Sequence, residues 1–456
     1  MKQIKVDKID IINDIETPVS AYLKLSKNAE KSFLLESVEK GTTIGRYSII
    51  GIGTNMIFKS KGQDIIIDKN GTNEKINDDP LEFLKEYYSN ITTDSDAIYT
   101  GGGVGYFSYD SIRLWENIPN NNPDVIDIPE IYLMFPDVFV IFDHLKHTIS
   151  LITNHKDENS GKKLEKYKSL LLSSQVSEFV KEGEKCNYES NFTEEKFEKI
   201  VEKSKEYIKE GDIFQVVPSQ RLSTKIKQHP FDIYRRLRVI NPSPYMFYLD
   251  FGDMQLVGSS PEMLVKKSGE RVFVRPIAGT RKRGKTKEED EAMEKELITD
   301  KKELAEHTML VDLARNDLGK ISKYGTVRVT EEFIIEKYSH VIHIVSEVEG
   351  ISDRNAVDVF KAAFPAGTVS GAPKIRAMEI INEFEPDRRG VYAGAVGYID
   401  YTGNMDTCIA IRTMIIKDST AYLQAGAGIV IDSIPRLEYK ETINKLKVLM
   451  NALEGL

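Results

Sequence analysis

Short strand-forming runs broken by turn residues recur along most of this chain, and they limit its fold more than any other feature. In the first 155 residues they include Tyr47 to Ile52, Asp64 to Ile67 before the turn Lys69-Asn70-Gly71, and Val138 to Phe142. Strands of this length with Gly- and Asn-bearing turns read as antiparallel sheet. Further strands are predicted at Ile213 to Val217, Gln255 to Val257, Arg271 to Arg275, Val341 to Val348, Val391 to Asp400, Thr407 to Ile416 and Ala421 to Gln424. Tyr401-Thr402-Gly403-Asn404 joins two of them as a hairpin. Helical periodicity marks Leu81 to Tyr88, Gly161 to Leu172, Lys301 to Arg315, Pro373 to Phe384 and Pro435 to Leu453. One more helix has a clear start and stop. Thr193 is its N-cap, Glu194 and Glu195 fill the first turn, Phe197, Ile200, Val201 and Ile208 repeat at helical spacing, and Gly211 ends the run. Antiparallel strands with helices outside them define an α+β class.

Between His155 and Thr193 the composition turns to Lys, Glu and Ser, which places a domain boundary near 190 and divides the chain into 1–189 and 190–456. Gly102-Gly103-Val104-Gly105-Tyr106 echoes Gly394-Ala395-Val396-Gly397-Tyr398, a match too short to define a repeat. Acidic and basic residues number 71 and 62, a formal charge of −9. That balance argues against nucleic acid as a partner, since phosphate binding needs a basic patch. Only Cys186 and Cys408 occur, which excludes a disulfide framework or a cysteine-held zinc. The opening MKQIKVDKIDIIND has no apolar core of a signal peptide, and no apolar run reaches the ~18 residues of a membrane span. A cytoplasmic protein with no membrane partner is expected.

Two predicted helices carry paired carboxylates. Glu303 and Glu306 share a face with Leu310 and Ala314, and Glu438 and Glu441 share one with Lys445, Val448 and Ala452. Like charges one turn apart repel unless a cation lies between them. Carboxylate oxygens suit Mg2+, which takes one or two protein carboxylates directly and leaves positions for substrate oxygens. A capping box, Asp300-x-x-Glu303, also explains Glu303, and Glu438 and Glu441 also read as first-turn acids on a helix dipole.

Three Gly-rich segments, Pro276 to Thr280, Gly367 to Pro373 and Ala425 to Gly428, follow strands or precede helices. Their amides can cradle a carboxylate or phosphate, or they are plain tight turns. None matches a Walker A loop or a dinucleotide fingerprint. Arg412 reads as a residue inside an apolar strand, on the face of Cys408, Ala410 and Met414, where a guanidinium needs an anion. His343 alternates with Val341 and Val345, a pattern that suits a satisfied core histidine as well as a catalyst. Together these residues describe a Mg2+ site beside an Arg and amide nests, a pocket for a small ligand with several carboxylates.

The strings PIAGTRKRG (276–284), DKKELAEHTMLVDLARNDLG (300–319), SHVIHIVSEVEG (339–350), GTVSGAPKIRAME (367–379), YAGAVGYID (392–400), DTCIAIRTMI (406–415) and LQAGAGIV (423–430), with the ExxE run ending at Lys445, occur in sequence order. With them the chain resembles the chorismate-utilising enzymes, and among these the large (aminase) subunits of anthranilate synthases. The resemblance implies large antiparallel sheets packed as a sandwich with helices outside. It implies that ammonia adds at C2 of chorismate, the C4 hydroxyl leaves, and pyruvate is eliminated to give anthranilate. It assigns Mg2+ to Glu306 and Glu441, with Glu303 and Glu438 completing the acidic shell. It gives the enolpyruvyl carboxylate to Arg412 and the amides of Gly426, Ala427 and Gly428. Gly279, Thr280, Tyr392 and Lys445 line the rest of the ligand. Glu262 is implied as general acid for the departing hydroxyl, His343 as the base or positioning group for pyruvate elimination, and Thr368 lies with them.

Relatives that add water carry a lysine where this chain has Gln215. Glutamine cannot act as a base, and neutral ammonia needs none, which argues against isochorismate or salicylate synthesis. Ala278 stands where some aminodeoxychorismate synthases carry a nucleophilic lysine, which favours anthranilate over the rival reading, aminodeoxychorismate synthase component I. The resemblance also implies a feedback site for L-tryptophan. LLES (34–37), IGRYSIIG (44–51) and NPSPYMF (241–247) contribute Glu36, Ser37, Pro244, Tyr245 and Met246, with Val396 and Tyr398 beneath. Without the family, NPSPY reads as a Pro-rich turn. Nothing in the chain resembles a glutamine amidotransferase, so ammonia is expected from a separate glutaminase subunit in a hetero-oligomer.

Overall fold

A computed structural model describes residues 2–37, 45–69, 71–93, 99–154, 157–173, 180–337 and 341–455. The Asn70 turn position, Ile44, the Ser339 and His340 positions of the 339–350 string, and parts of the 155–193 segment lie outside them.

Two large antiparallel sheets face each other. The first runs, in spatial order, Asp7–Ile12, Thr148–Thr153, the second half of Ile131–Asp143, the first half of Tyr47–Lys61, Ser32–Glu36, Tyr245–Asp250, Met254–Ser260, Thr413–Lys417, Thr420–Gly426 and Ser219–Lys225. The second runs Thr72–Asn77, Asp64–Lys69, the remaining halves of Tyr47–Lys61 and Ile131–Asp143, Gly102–Phe107, Ala395–Asp400, Met405–Ile409, Met263–Ser268, Arg271–Val274 and Val341–Ile351. Ile277–Lys282 and Arg328–Lys337 pair with the last of these. Each sheet joins a block of strands from before residue 190 to a block from after it, Ser32–Glu36 beside Tyr245–Asp250 in the first and Gly102–Phe107 beside Ala395–Asp400 in the second. The two echoing pentapeptides lie side by side, with Gly105 opposite Gly397 and Tyr106 opposite Val396.

The inner faces meet in a core that includes Phe33, Phe139, Phe247 and Leu256 from one sheet and Val104, Tyr132, Met134 and Val396 from the other. Strand alternation sends the neighbouring side chains outward, where helices cover them. Pro18–Ser26, Pro230–Ile240 and Pro435–Glu454 pack on the first sheet through a core that includes Leu34, Val140 and Tyr248. Pro80–Ser89, Lys301–Gly319, Ala356–Ala363 and Lys374–Phe384 pack on the second, around Phe58, Leu133 and Val272. Glu194–Glu210 forms as its caps predict: Thr193 accepts from the Lys196 amide, and Gly211 stops the helix at φ 86°. Lys287–Thr299 is a helix that periodicity did not reveal.

Two strand pairs stitch the sheets together. Tyr47–Lys61 and Ile131–Asp143 pass from one sheet into the other without a break, bending at a bulge between Thr54 and Met56 opposite Pro136. The second pair breaks as it passes. Met254–Ser260 leaves the first sheet and resumes in the second as Met263–Ser268. Met405–Ile409 leaves the second and resumes in the first as Thr413–Lys417. The run Thr407 to Ile416, expected as one strand, is therefore two, and Arg412 is not a strand-interior residue. It sits at the break with φ 50°, the left-handed kink that turns the chain from one sheet to the other. Two further expected strands are shorter than read. Of Ile213 to Val217 only Gln215–Val216 pairs, with Gly371–Ala372, and the 391–400 run becomes strand at Ala395. Its hairpin forms with Ile399 opposite Met405, and the Asp400 carboxylate accepts from the Thr402 and Asn404 amides at 2.9 Å each.

Candidate active site

A cavity of about 180 Å3 opens where the broken crossing parts the sheets. Eight residues singled out from the sequence meet on its wall: Glu262, Thr280, His343, Thr368, Tyr392, Arg412, Gly426 and Lys445. Two of them occupy the breaks themselves. Glu262 follows Pro261 at one, and its carbonyl accepts from the Ile409 amide at 3.0 Å. Arg412 occupies the other, and its carbonyl accepts from the Ser259 amide at 3.0 Å.

Burial pushes the Glu262 carboxyl up to about 8, against smaller opposing pulls from Thr368, Arg412 and Lys445. Glu262 therefore holds its proton at neutral pH and can donate it. The Arg412 guanidinium makes no hydrogen bond or ion pair with another described residue. Burial works against its charge, and Tyr392, Glu262 and Glu441 work for it. A half-buried cation on a cavity wall with no fixed partner suits an anionic ligand.

His343 Nδ1 lies 2.7 Å from the Gly279 carbonyl and 3.3 Å from Thr280 Oγ1. A carbonyl only accepts, so Nδ1 carries the proton and Nε2 is the basic nitrogen. Burial lowers the imidazole pKa and keeps the ring neutral. Gly279 has φ 65°, and a Cβ there would come within 2.8 Å of Leu297 and 3.2 Å of a Glu303 oxygen. It shapes the turn that presents its carbonyl to His343, and is itself off the cavity wall. Burial pushes the Tyr392 phenol up to about 12. Lys445 Nζ donates to the Gly426 carbonyl at 2.9 Å and pairs with Glu441 at 2.7 Å. Ala427 and Gly428 stay off the wall, and the Ala427 amide is already used by the Pro218 carbonyl at 3.2 Å. Of the three expected amides, that of Ala427 is engaged within the protein, and Gly426 is the residue that reaches the wall.

The four acidic residues flank the cavity on Lys301–Gly319 and Pro435–Glu454. Asp300 caps the first helix, accepting from the Lys302 and Glu303 amides. Glu303 pairs with Arg281 at 3.0 Å. Glu306 is held above the usual carboxylate range by burial first and then by the charge of Glu303, with Glu441 adding to it, while Gln215 and Lys302 pull the other way. Glu438 is raised by burial and by Glu441. The helices thus bring their carboxylates within electrostatic reach of one another. Among the described residues no three His, Cys, Asp or Glu side chains draw close enough to enclose a metal ion. Mg2+ does not need three, and hard carboxylate oxygens suit it in kind, with Glu303 and Glu441 each sharing its charge with a basic partner.

Sequence reasoning missed the support behind this wall. Arg389, fully buried, donates to the Val217 and Val369 carbonyls at 2.6 and 2.7 Å, and both residues line the cavity. It pairs with buried Glu385 at 2.6 Å and lies 4.6 and 5.4 Å from the Tyr109 and Tyr392 ring centres. Ser219 donates to the same carboxylate through its amide and hydroxyl, and receives the Gln424 side-chain amide at 2.8 Å. No spacing rule links positions so far apart. The available signal was Arg389 itself, three residues before Tyr392.

The residues expected to hold tryptophan lie between the two crossings. Tyr245 and Tyr398 border the inter-sheet core with Val396, and Tyr245 donates to Asp406 at 3.0 Å. Met246 points the opposite way, into the helix-side core beside Tyr234 and Tyr248, and opposes Glu36 in the sheet. Pro244 is buried in the turn before this strand. The Glu36 carboxylate is already engaged by Tyr234 and Arg238. Ser37 Oγ is buried without a hydrogen-bond partner. No helix among the described residues is long and apolar enough to cross a membrane.

Residues 30–451 match the family described as chorismate binding enzyme. The chain is 48% identical to anthranilate synthase component 1 of Aquifex aeolicus and 46% identical to that of Acetivibrio thermocellus, over 98% of this chain and 94% of each relative. The crystal structure of anthranilate synthase component I from Streptococcus pneumoniae TIGR4 superposes with a TM-score of 0.83 at 40% identity, covering 96% of this chain and 99% of that one. The fold alone is shared with the menaquinone-specific isochorismate synthase of Escherichia coli, at a TM-score of 0.75 and 19% identity over 99% of this chain and 95% of the other. The chain belongs to the chorismate binding enzyme family.

Proposed function

We propose that this chain is the aminase subunit of an anthranilate synthase, converting chorismate and ammonia to anthranilate and pyruvate. The reading rests on its relatives and, above all, on one pairing within the cavity: a carboxyl group that keeps its proton up to about pH 8 stands with a guanidinium that has no protein anion. Chorismate brings what both lack, a hydroxyl that must leave and carboxylates that must be held.

Arg412 takes the enolpyruvyl carboxylate in a planar two-point contact, with Lys445 and the Gly426 edge beside it. Glu262 gives its proton to the C4 oxygen as that bond breaks, which turns a poor leaving group into water. Neutral His343, held by the Gly279 carbonyl through Nδ1, takes the C2 proton through Nε2 as pyruvate departs. Thr368 stands beside Glu262 on the cavity wall, where its hydroxyl favours the ionised carboxyl and so eases release of the proton. Glu306 and Glu441 are the residues that would hold Mg2+, with Glu303 and Glu438 around them. When bound, the ion would supply charge stabilisation at the ring carboxylate. Ala278 on the cavity wall offers no nucleophile, which favours anthranilate over aminodeoxychorismate.

Ammonia comes from a separate glutamine amidotransferase subunit in a cytoplasmic hetero-oligomer, and L-tryptophan binds between the sheets near Ser37, Tyr245 and Tyr398 as a feedback inhibitor. The test is an assay of the purified chain with chorismate, magnesium chloride and ammonium chloride at mildly alkaline pH. Fluorescent anthranilate and equal pyruvate are expected, with no turnover on glutamine alone. An amino product formed without pyruvate would replace this reading with the aminodeoxychorismate one, and unchanged chorismate would end both.

A further inference from the structure

We propose that Gln424 orients the incoming ammonia, its side-chain carbonyl accepting one N–H so that the nitrogen lone pair faces the ring. The proposal rests on the function proposed above.

Gln424 lines the cavity and is buried, and its Oε1 has no hydrogen-bond partner. Folded proteins seldom leave a buried amide oxygen unpaired unless a ligand completes it. The orientation of the amide follows from its neighbours. Ser219 Oγ has one proton, and it goes to Glu385 Oε1 at 2.7 Å, because a carboxylate paired with Arg389 only accepts. The Ser219 oxygen is then an acceptor toward Gln424, so the Gln424 NH2 group faces Ser219 at 2.8 Å and the carbonyl is the bare end. Arg389, Glu385 and Ser219 thus form a fixed chain behind the wall whose last member is an acceptor. Gln215 also has a bare buried oxygen, but its amide is drawn to Glu306, and it is not on the cavity wall.

The reactants leave one donor for this acceptor. The carboxylates of chorismate can only accept, and its single hydroxyl faces the Glu262 proton. Ammonia brings three N–H groups and one lone pair. With one N–H on Gln424 Oε1, the lone pair is free to form the bond to C2. As it forms, the ring double bonds shift, the C4–O bond breaks, and the oxygen leaves as water with the Glu262 proton. The nitrogen, now carrying an extra proton, gives it up, and Glu262 is reprotonated, so the step consumes one ammonia and releases one water.

Steady-state kinetics on wild type, Gln424→Met and Ser219→Ala test this. Methionine keeps the volume without the acceptor, and alanine at 219 frees the amide to rotate. Gln424→Met is expected to raise the KM for ammonia about five- to tenfold, the value of one hydrogen bond. The chorismate KM should stay within about twofold and the melting temperature should not fall. Ser219→Ala should give a smaller rise in the same parameter alone, and it carries the test if the methionine variant does not fold. A matching rise in the chorismate KM, or an unchanged ammonia KM in every variant that folds, would overturn the proposal. Wild-type turnover reports separately on the proposed function. If wild type makes no anthranilate, that reading fails and this inference goes with it. If wild type is active and the split is absent, only the role of Gln424 is lost.

Discussion

The two crossings between the sheets use the same device to opposite ends. At Tyr47–Lys61 and Ile131–Asp143 the bend is continuous, Pro136 stands where the ladder slips, and the space inside fills with rings such as Tyr132, 4.0 Å from Phe251. At the second crossing Pro261 also marks the bend, but both strands stop for two or three residues. The gap holds a carboxyl with a raised pKa, an unpaired guanidinium and a bare amide oxygen beside the rings of Tyr392 and His343. One joint is satisfied by its own side chains and contributes stability. The other is left incomplete, and the groups proposed to react gather there. Unpaired buried polar groups cost stability, and the two that line the cavity, Thr368 Oγ1 and Gln424 Oε1, mark the open joint as a place for a ligand.

The largest effect should come from the acidic helices beside the open joint. Glu306→Gln and Glu441→Gln each remove a charge that would hold Mg2+, and kcat/KM for chorismate should fall about a hundredfold or more. The check is steady-state turnover across a magnesium titration. Activity within about threefold of wild type in both variants would detach the metal from these residues.

Glu262→Gln should separate function from stability. The ordinary value for the group is 4.5, and burial raises it to about 8 in the folded chain. Below 4.5 both states hold the proton. Between 4.5 and 8 only the folded state does, so the unfolded chain binds fewer protons and stability falls as pH rises, by about 1.4 kcal/mol per pH unit. Above 8 the loss is complete. The glutamine variant lacks this slope. It should lose turnover by two orders of magnitude or so, yet melt progressively higher than wild type as pH goes from 5 to 8. Parallel melting curves over that range would show that Glu262 is charged in the folded protein.

Parts of this contrast were legible in the sequence, for physical reasons that differ by position. Thr193 and Gly211 delimit a helix because capping is local chemistry. The acidic faces were legible because helical spacing turns sequence distance into surface distance. The break at Arg412 was not. Ile409-Ala410-Ile411-Arg412-Thr413-Met414 carries no Gly, Pro or Asn, so nothing in it signals a kink, and the positive φ is imposed by pairing on both sides with strands over 100 residues away. The reading of Arg412 as a cation in need of an anion does not depend on that strand, since it follows from a guanidinium set in the chain's interior whether or not the strand is broken. The chain from Arg389 through Glu385 and Ser219 to Gln424 was invisible because it joins residues brought together only by the fold.

The closed joint offers the control. A Cβ on Gly51 would overlap the Phe33 ring, so Gly51→Ala should destabilise the protein by about 1–3 kcal/mol through overpacking. The chorismate KM of the folded fraction should stay within about twofold. Denaturant titration and kinetics at low temperature measure the two quantities separately. A KM change as large as the stability change would show that the joints are not independent.

The smallest effect on turnover is expected where the joints communicate. The proposed tryptophan residues sit on the strands that separate the crossings: Tyr245 and Met246 in the first sheet, Val396 and Tyr398 in the second, with Ser37 at the end of Ser32–Glu36. A ligand there touches neither Glu262 nor Arg412. It can act only by preferring one spacing of the sheets, and a spacing that suits an indole between Tyr245 and Tyr398 need not suit chorismate at the break beyond. Glu36 is held by Arg238, which leaves Ser37, with its unpaired hydroxyl, as the polar group available to the amino acid. Ser37→Arg should fill that position and relieve tryptophan inhibition, raising the inhibitory concentration about 5- to 150-fold, the equivalent of the ~1–3 kcal/mol typical of such coupling. Uninhibited turnover should stay within about twofold. Calorimetry on the variant decides the mechanism. Lost tryptophan binding with normal chorismate turnover supports coupling between two sites. Normal tryptophan binding, or strict competition between tryptophan and chorismate, would place the inhibitor at Arg412 and remove the need for any communication between the joints.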